Sequence, residues 1–285
     1  MFRTAIALTA LLFAALAAQA QNLDGRLKQI ASTKTIAIAY RTDAIPFSYT
    51  DDKKQVDGFS IDLCKRIVRS IERDIKVSGL QIKWVPVTSQ TRFDAVAKGQ
   101  ADMECGSSTA TLSRMQQVDF SSYIFVETTG LMVKQASGLR SLSDMSGKKI
   151  AVIGGTTNER ALNDQLKRLK ISATVLPVKT RDEAFALLEG GKADAMASDK
   201  LLLLGAAVKA KDPQSMAILN DELSFEPYGI VLPRGDAAFR LAVNSALSTI
   251  YRNGEIVEIF NRWFAGLGRP TPIIEAAYSL GIIPE

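Results

Sequence analysis

The chain has 285 residues, 47% hydrophobic and 23% charged, with 35 lysines and arginines against 30 aspartates and glutamates, two cysteines and no histidine. Without histidine there is no Ser-His-Asp or Cys-His relay, no imidazole metal ligand and no side chain with an unperturbed pKa at physiological pH. Two cysteines cannot build a four-thiolate zinc site, and the length fits one large or two medium domains of ordinary globular composition.

Met1-Phe2-Arg3 gives a positive start, Ala5–Ala17 is apolar apart from Thr9, and Ala18-Gln19-Ala20 sets small residues where a signal peptidase reads. Residues 1–20 are therefore read as a signal peptide cleaved after Ala20. The apolar run is short for a membrane anchor, and the nearest cysteine, Cys64, is too far on for lipid attachment. Export makes the mature chain a soluble periplasmic protein, and loss of Arg3 lowers the formal charge from +5 to +4. In that compartment Cys64 and Cys105 are open to two readings, a disulfide or two separate buried thiols. The thiols are the reading taken.

Strand and helix signals then alternate. Thr35–Tyr40 reads as a strand, Gly58–Ile71 as a helix, Lys83–Val87 as a strand, Arg92–Lys98 as a helix and Ala101–Cys105 as a strand. The order recurs with Lys149–Ile153, Thr157–Lys170, Ala173–Val178, Glu183–Glu189 and Ala193–Met196. Residues 93–102 (FDAVAKGQAD) align with 185–194 (FALLEGGKAD) at a constant offset of 92, and Val85-Pro86-Val87 matches Leu176-Pro177-Val178 after a one-residue slip. Two copies of one βαβ unit imply two similar α/β lobes with parallel strands. Tyr123–Val126 and Glu226–Pro233 read as extended segments, followed by helices Ala237–Tyr251 and Ile256–Phe264. The chain is expected to cross between lobes near Thr128–Leu131 and to return near Tyr228–Ile230. That gives lobe 1 as 21–128 and 230–285, lobe 2 as 129–229, and a two-strand hinge beside a cleft.

Ligands in such sheets sit beyond the strand carboxyl ends, at helix N-termini. Those positions hold Arg41, Ser89, Arg92, Ser107, Thr109 and Arg114 in lobe 1, and Thr156, Thr157, Arg181, Ser198 and Asp199 in lobe 2. The repeat puts Ser107 and Asp199 at matching junctions. A guanidinium fork fits a carboxylate, a helix start favours an anion, and a lone aspartate suits an ammonium. A small ligand with two carboxylates and one amine completes the pattern. Counting Arg41, Arg92 and Arg114 against Asp199 leaves an excess of two positive charges. A neutral ligand would then strand a buried guanidinium, at roughly 3–5 kcal/mol. A site of arginines, hydroxyls and one aspartate also predicts affinity that is flat between roughly pH 6 and 8.

Gly58-Phe-Ser-Ile-Asp-Leu-Cys-Lys-Arg-Ile-Val68 resembles the signature of the family 3 periplasmic solute-binding proteins of polar amino-acid ABC transporters. TSQTR (88–92), ECGSSTATLSR (104–114), VDFSSYIFVETTGLMVK (118–134), GGTTNE (154–159) and NRWF (261–264) resemble its glutamate/aspartate-binding subfamily. The resemblance implies two flavodoxin-like lobes of the type II periplasmic binding protein kind, closing as a monomer on L-glutamate or L-aspartate and presenting it to a permease and its ATPase subunits. It implies Arg114, Thr109 and Thr156 for the α-carboxylate, with Thr157 beside them. It implies Asp199 and Ser107 for the α-ammonium, and Arg41, Ser89 and Arg92 for the side-chain carboxylate. Arg181 stands where the subfamily usually has histidine, and Ser60 where the signature has an acidic residue. No cofactor or metal is implied.

The competing class is an enzyme on the same fold, a periplasmic cyclohexadienyl dehydratase acting on prephenate or arogenate, which needs a carboxylic acid in the cleft. Glu104 and Glu159 are the strand-end candidates, read instead as helix packing and a helix cap. A sensor or adhesion module lacks any accompanying coiled coil or signalling segment. Nucleic-acid binding is disfavoured despite an isoelectric point of about 9.1, because the basic residues are dispersed.

Overall fold

The computed structural model describes residues 23–284; the expected signal peptide lies outside them. The chain opens with helix α1 (Gly25–Thr33), strand β1 (Thr35–Arg41), short strands β2 (Asp43–Ala44), β3 (Ser48–Thr50) and β4 (Val56–Asp57), and helix α2 (Phe59–Asp74). Strand β5 (Gln81–Val87), helix α3 (Arg92–Ala97), β6 (Met103–Glu104) and β7 (Val118–Glu127) follow. The second unit comprises β8 (Thr129–Lys134), β9 (Lys149–Ile153), α4 (Thr157–Arg168), β10 (Thr174–Val178), α5 (Arg181–Glu189), β11 (Ala195–Asp199), α6 (Lys200–Ala207) and β12 (Met216–Ile218). The chain returns through β13 (Glu226–Pro233) and ends with α7 (Ala237–Arg252), α8 (Glu255–Phe264) and α9 (Pro272–Leu280).

Two five-stranded sheets result, ordered β5-β1-β6-β13-β7 and β10-β9-β11-β8-β12. In each, three parallel strands carry the βαβ unit, and the next strand runs antiparallel to them. The repeat has a structural cause. Asp102 accepts from the Ala37 amide at 2.7 Å, and Asp194 accepts from the Lys149 amide at 2.8 Å, so the same aspartate ties the third strand of each lobe to the first. Gly99 (φ 72°) and Gly191 (φ 70°) make the same left-handed turn before it.

Helix α2 buries Phe59, Leu63, Ile67 and Ile71 on one face, the helical period seen in the sequence. Its Asp62 accepts from Arg262 Nη1 at 2.7 Å and from Trp263 Nε1 at 3.4 Å, and the Phe59 and Phe264 rings lie 5.1 Å apart. The GFSID and NRWF motifs therefore meet in one contact.

The separate-thiol reading of the cysteines is corrected. Cys64 and Cys105 are joined, with their Cα atoms 6.5 Å apart. Parallel pairing of β6 with β1 brings Cys105 under α2, a closeness that 41 residues of sequence separation hide.

The first crossing runs from β7 to β8 at Thr128. The return joins the first sheet earlier than expected, because Glu226 already pairs with Glu127 while Leu223 still bonds Thr129 of β8. The lobes touch closely beside these crossings. Leu202 of α6 is buried in the core of the first sheet, and Gly205 lies so close to Ile45 that a Cβ would stand 2.2 Å from its carbonyl oxygen. Among the described residues no helix is long and apolar enough to cross a membrane.

Candidate functional site

One narrow polar cleft lies between the two sheets, lined by Arg41, Ser89, Arg92, Ser107, Thr109, Ile153, Thr156, Thr157, Asn158, Arg181 and Asp199. Nine of the ten ligand-site residues expected from the sequence are in that set. The tenth, Arg114, is set apart: its Nη1 donates to the Thr109 carbonyl at 2.8 Å. Ser198, the other strand-end residue, is buried at the cavity edge, with Oγ 3.4 Å from Arg181 Nη2. A larger, mainly apolar depression of about 1170 Å³ flanks the crossings at Phe125–Thr128 and Ser224–Phe225, but its polar groups do not converge.

The lobes are closed over the cavity. Gln90 Nε2 of the first lobe donates to the Gly154 carbonyl of the second at 3.3 Å, and the Thr109 and Thr157 hydroxyls are 3.5 Å apart. Local structure aims each group. Thr156 caps α4, its Oγ1 accepting from the Glu159 amide, while Glu159 returns a carboxylate to the Gly155 amide at 2.8 Å. The expected capping role of Glu159 is seen. Helix packing for Glu104 is not: the carboxyl is fully buried, accepts from Ser108 Oγ at 2.7 Å, and is felt electrostatically by Arg92, Arg41 and Arg114.

Arg41, Arg92 and Arg181 are each at least 96% buried, and in each the Nε–H has no hydrogen-bond partner. Arg41 Nη2 donates to Asp43 at 2.6 Å, Arg92 Nη1 to the Ser107 carbonyl at 3.3 Å, and Arg181 Nη1 to the Asp43 carbonyl at 3.0 Å. Arg92 and Arg114 both lie over the Phe93 ring, at 4.9 and 4.8 Å from its centroid. Burial lowers the Arg41 and Arg92 guanidiniums to about 10. Asp43 partly offsets this for Arg41, while neighbouring arginines add to the lowering of both. They stay charged at neutral pH.

The opposite charges were undercounted in the sequence. Asp43 lies between Arg41 and Arg181; burial opposes its ionisation, yet those two arginines hold the carboxyl below its usual range. Glu226 accepts from Thr109 Oγ1 at 2.5 Å and lies 2.6 Å from Ser224 Oγ. With Arg181 included, four arginines face Asp43, Glu104, Asp199 and Glu226, so the simple excess of two positive charges does not hold. Burial raises Glu104.

The expectation of a flat pH response assumes that no cleft group has a pKa near neutrality, and Asp199 departs from that assumption. Burial, then the adjacent Glu226, raise its carboxyl to about 6 against the support of Tyr228, Asn158 and Arg181. Asn158 Nδ2 donates to Asp199 at 2.8 Å and to Thr129 Oγ1 at 2.7 Å, and Thr129 Oγ1 donates to Glu226 at 3.3 Å. A polar chain thus runs from the cleft into both crossings. Glu127, at the first crossing, is raised to about 8 by burial and by Asp199, while its carboxylate caps α6 through the Leu201 amide at 3.3 Å. Sequence reading missed Asp43, Asn158 and Glu226. Asn158 had a signal, because it sits one residue inside the helix that Thr156 opens.

Two α/β lobes close around one buried polar cleft lined by arginines, hydroxyls and an aspartate, the arrangement of a protein that encloses a small solute. Residues 36–266 match the model of the bacterial extracellular solute-binding proteins, family 3. The L-glutamate/L-aspartate-binding protein of Pseudomonas aeruginosa is 37% identical over 86% of this chain and 82% of its own length. The glutamate/aspartate import solute-binding protein of Escherichia coli is 32% identical over 92% of this chain and 88% of its own. An ancestral amino acid-binding protein, described as a precursor of cyclohexadienyl dehydratase, superposes with a TM-score of 0.73 at 27% identity, over 84% of this chain and all of that one. The chain belongs to the family 3 bacterial extracellular solute-binding proteins.

Proposed function

We propose that the cleft captures an acidic L-amino acid, glutamate or aspartate, and that the closed protein, exported as a periplasmic monomer, delivers it to the permease of an ABC transporter. The observation that carries this reading is the set of three buried arginines, Arg41, Arg92 and Arg181, whose Nε–H donors lack an acceptor around one cavity. A buried cationic donor without a partner is costly, and a carboxylate relieves it. The ligand's side-chain carboxylate meets Arg41, Arg92 and Ser89, and its ammonium meets Asp199 and Ser107. Its α-carboxylate lies at Thr109, Thr156 and Thr157, with Arg114 completing the clamp. The lobes are 21–128 with the returning chain and 129 up to the return, which comes at Glu226 and not at 230; the α-carboxylate and ammonium contacts draw on both lobes, and the side-chain carboxylate contacts on lobe 1.

Calorimetry with glutamate, aspartate, glutamine and asparagine tests this. The acids should bind at least about tenfold more tightly than the amides, a difference of roughly 1.4 kcal/mol. Arg92→Ala should weaken the acids selectively, and Arg114→Ala should weaken every amino acid. Equal affinities for acid and amide would overturn the assignment. The dehydratase reading is supported by the likeness to the ancestral precursor and by the buried acid Glu104. Against it, the cavity lining holds one carboxyl, Asp199. Incubation with prephenate or arogenate, read by the aromatic product's absorbance, separates the two.

A further inference from the structure

Asp43 follows the first strand of lobe 1 and yet meets lobe 2. Its Oδ1 accepts from Arg41 Nη2 at 2.6 Å, and its Oδ2 accepts from the Arg181 backbone amide at 3.3 Å, at the start of α5. Oδ2 is also 3.8 Å from Arg181 Nη1, and the Asp43 carbonyl takes that nitrogen's hydrogen bond at 3.0 Å. The side chains of Asp43, Arg41 and Arg181 are 11%, 3% and 5% exposed. Water therefore screens this triad little. The carboxylate sits where two of the three cavity arginines converge, and it belongs to the protein, not to the ligand.

We propose that Asp43 sets the selectivity of the cleft: it is a built-in counter-charge that damps the pull of Arg41 and Arg181 on the ligand's side chain, so the site discriminates acid from amide less sharply than three bare arginines would. This rests on the acidic amino-acid reading above. A bound amide faces guanidiniums that Asp43 already partly neutralises, and so pays a reduced penalty. A bound acid meets the same arginines with part of their field cancelled. Because Arg41 and Arg181 come from opposite lobes, the damping is complete only when the cleft is closed, where selection is made.

The test is Asp43→Asn, which keeps the side chain's shape and removes its charge, with Asp43→Ser as a second variant. Melting curves establish that each is folded. The readout is the ratio of glutamine to glutamate dissociation constants, with the asparagine/aspartate pair as a repeat. Each pair is nearly isosteric, so altered stability or cost of closure cancels in the ratio. Both variants should raise it at least about tenfold over the wild type, equivalent to roughly 1.4 kcal/mol. An unchanged or lowered ratio in the folded variants overturns the inference. Failure of the wild type to bind any acidic amino acid overturns the underlying functional reading, which the wild-type titration exposes separately.

Discussion

On the proposed function, Asp199 should make binding depend on pH. Its carboxyl is raised to about 6, some two units above the ordinary aspartate value, by burial and by Glu226. At about 1.4 kcal/mol per unit, ionising it in the empty cleft costs roughly 3 kcal/mol. The sign follows from proton counting: between about pH 4 and 6 the folded chain holds more protons than the unfolded one, so the ligand-free protein loses that stability as pH rises through this window. A ligand ammonium reverses the preference, because only the ionised carboxyl receives it. Glutamate or aspartate should therefore bind about tenfold more weakly at pH 5, where Asp199 is nine-tenths protonated, than at pH 7. Calorimetry in two buffers of different ionisation enthalpy reads both quantities and should find close to one proton released per ligand at pH 5. Asp199→Asn should bind weakly with a flat profile, and Glu226→Gln should move the midpoint to lower pH. A wild-type dissociation constant constant to within twofold from pH 7.5 to 5 would refute the reasoning.

The disulfide and the lobe contact give two further predictions. Closing a loop of 41 residues restricts the unfolded chain enough to contribute about 4 kcal/mol, so reduction, or Cys64→Ala with Cys105→Ala, should lower stability by roughly 3–4 kcal/mol in urea unfolding. A wild type indifferent to reductant would contradict the pairing. Gly205→Ala sets a methyl 2.2 Å from the Ile45 carbonyl oxygen, where no flexible side chain can yield. It should hold α6 away from lobe 1, enlarge the ligand-bound radius of gyration in small-angle scattering and weaken binding about tenfold; an unchanged closed radius would count against the contact.

The long strands and amphipathic helices were legible because their periodicity is set by a core on one side. Strand β9 and strand β13 have the expected boundaries. Strands β2 to β4 have only two or three residues each, too few for alternation to register. Helix α1 buries only Leu27 and Ile30, and so gave no clear stripe. At the site, strand ends and helix starts point to positions on the chain, which is why Arg41, Ser89, Arg92, Ser107, Thr109 and Asp199 are legible in the sequence alone. Asp43 and Glu226 are not. One lies in a short hairpin and reaches Arg181 across the lobes; the other begins a strand and reaches Thr109, 117 residues earlier in the chain. The same blindness hid the disulfide, which depends on which strand pairs with β1. It also hid the proton affinity of Asp199, which comes from burial first and then from a carboxylate 27 residues further along the chain.

Two lobes built on one plan, each braced by its own aspartate at Asp102 and Asp194, present matching junctions to each other across the cleft. Left identical, such junctions would suit a guest that looks the same from both sides. An amino acid is chiral and carries charges of both signs, so the frame must break its own symmetry to hold one in a single orientation. It does so five residues beyond each brace, with a hydroxyl at Ser107 and a carboxyl at Asp199. The direction in which a polar guest lies is thus traced to a difference between two otherwise equivalent corners.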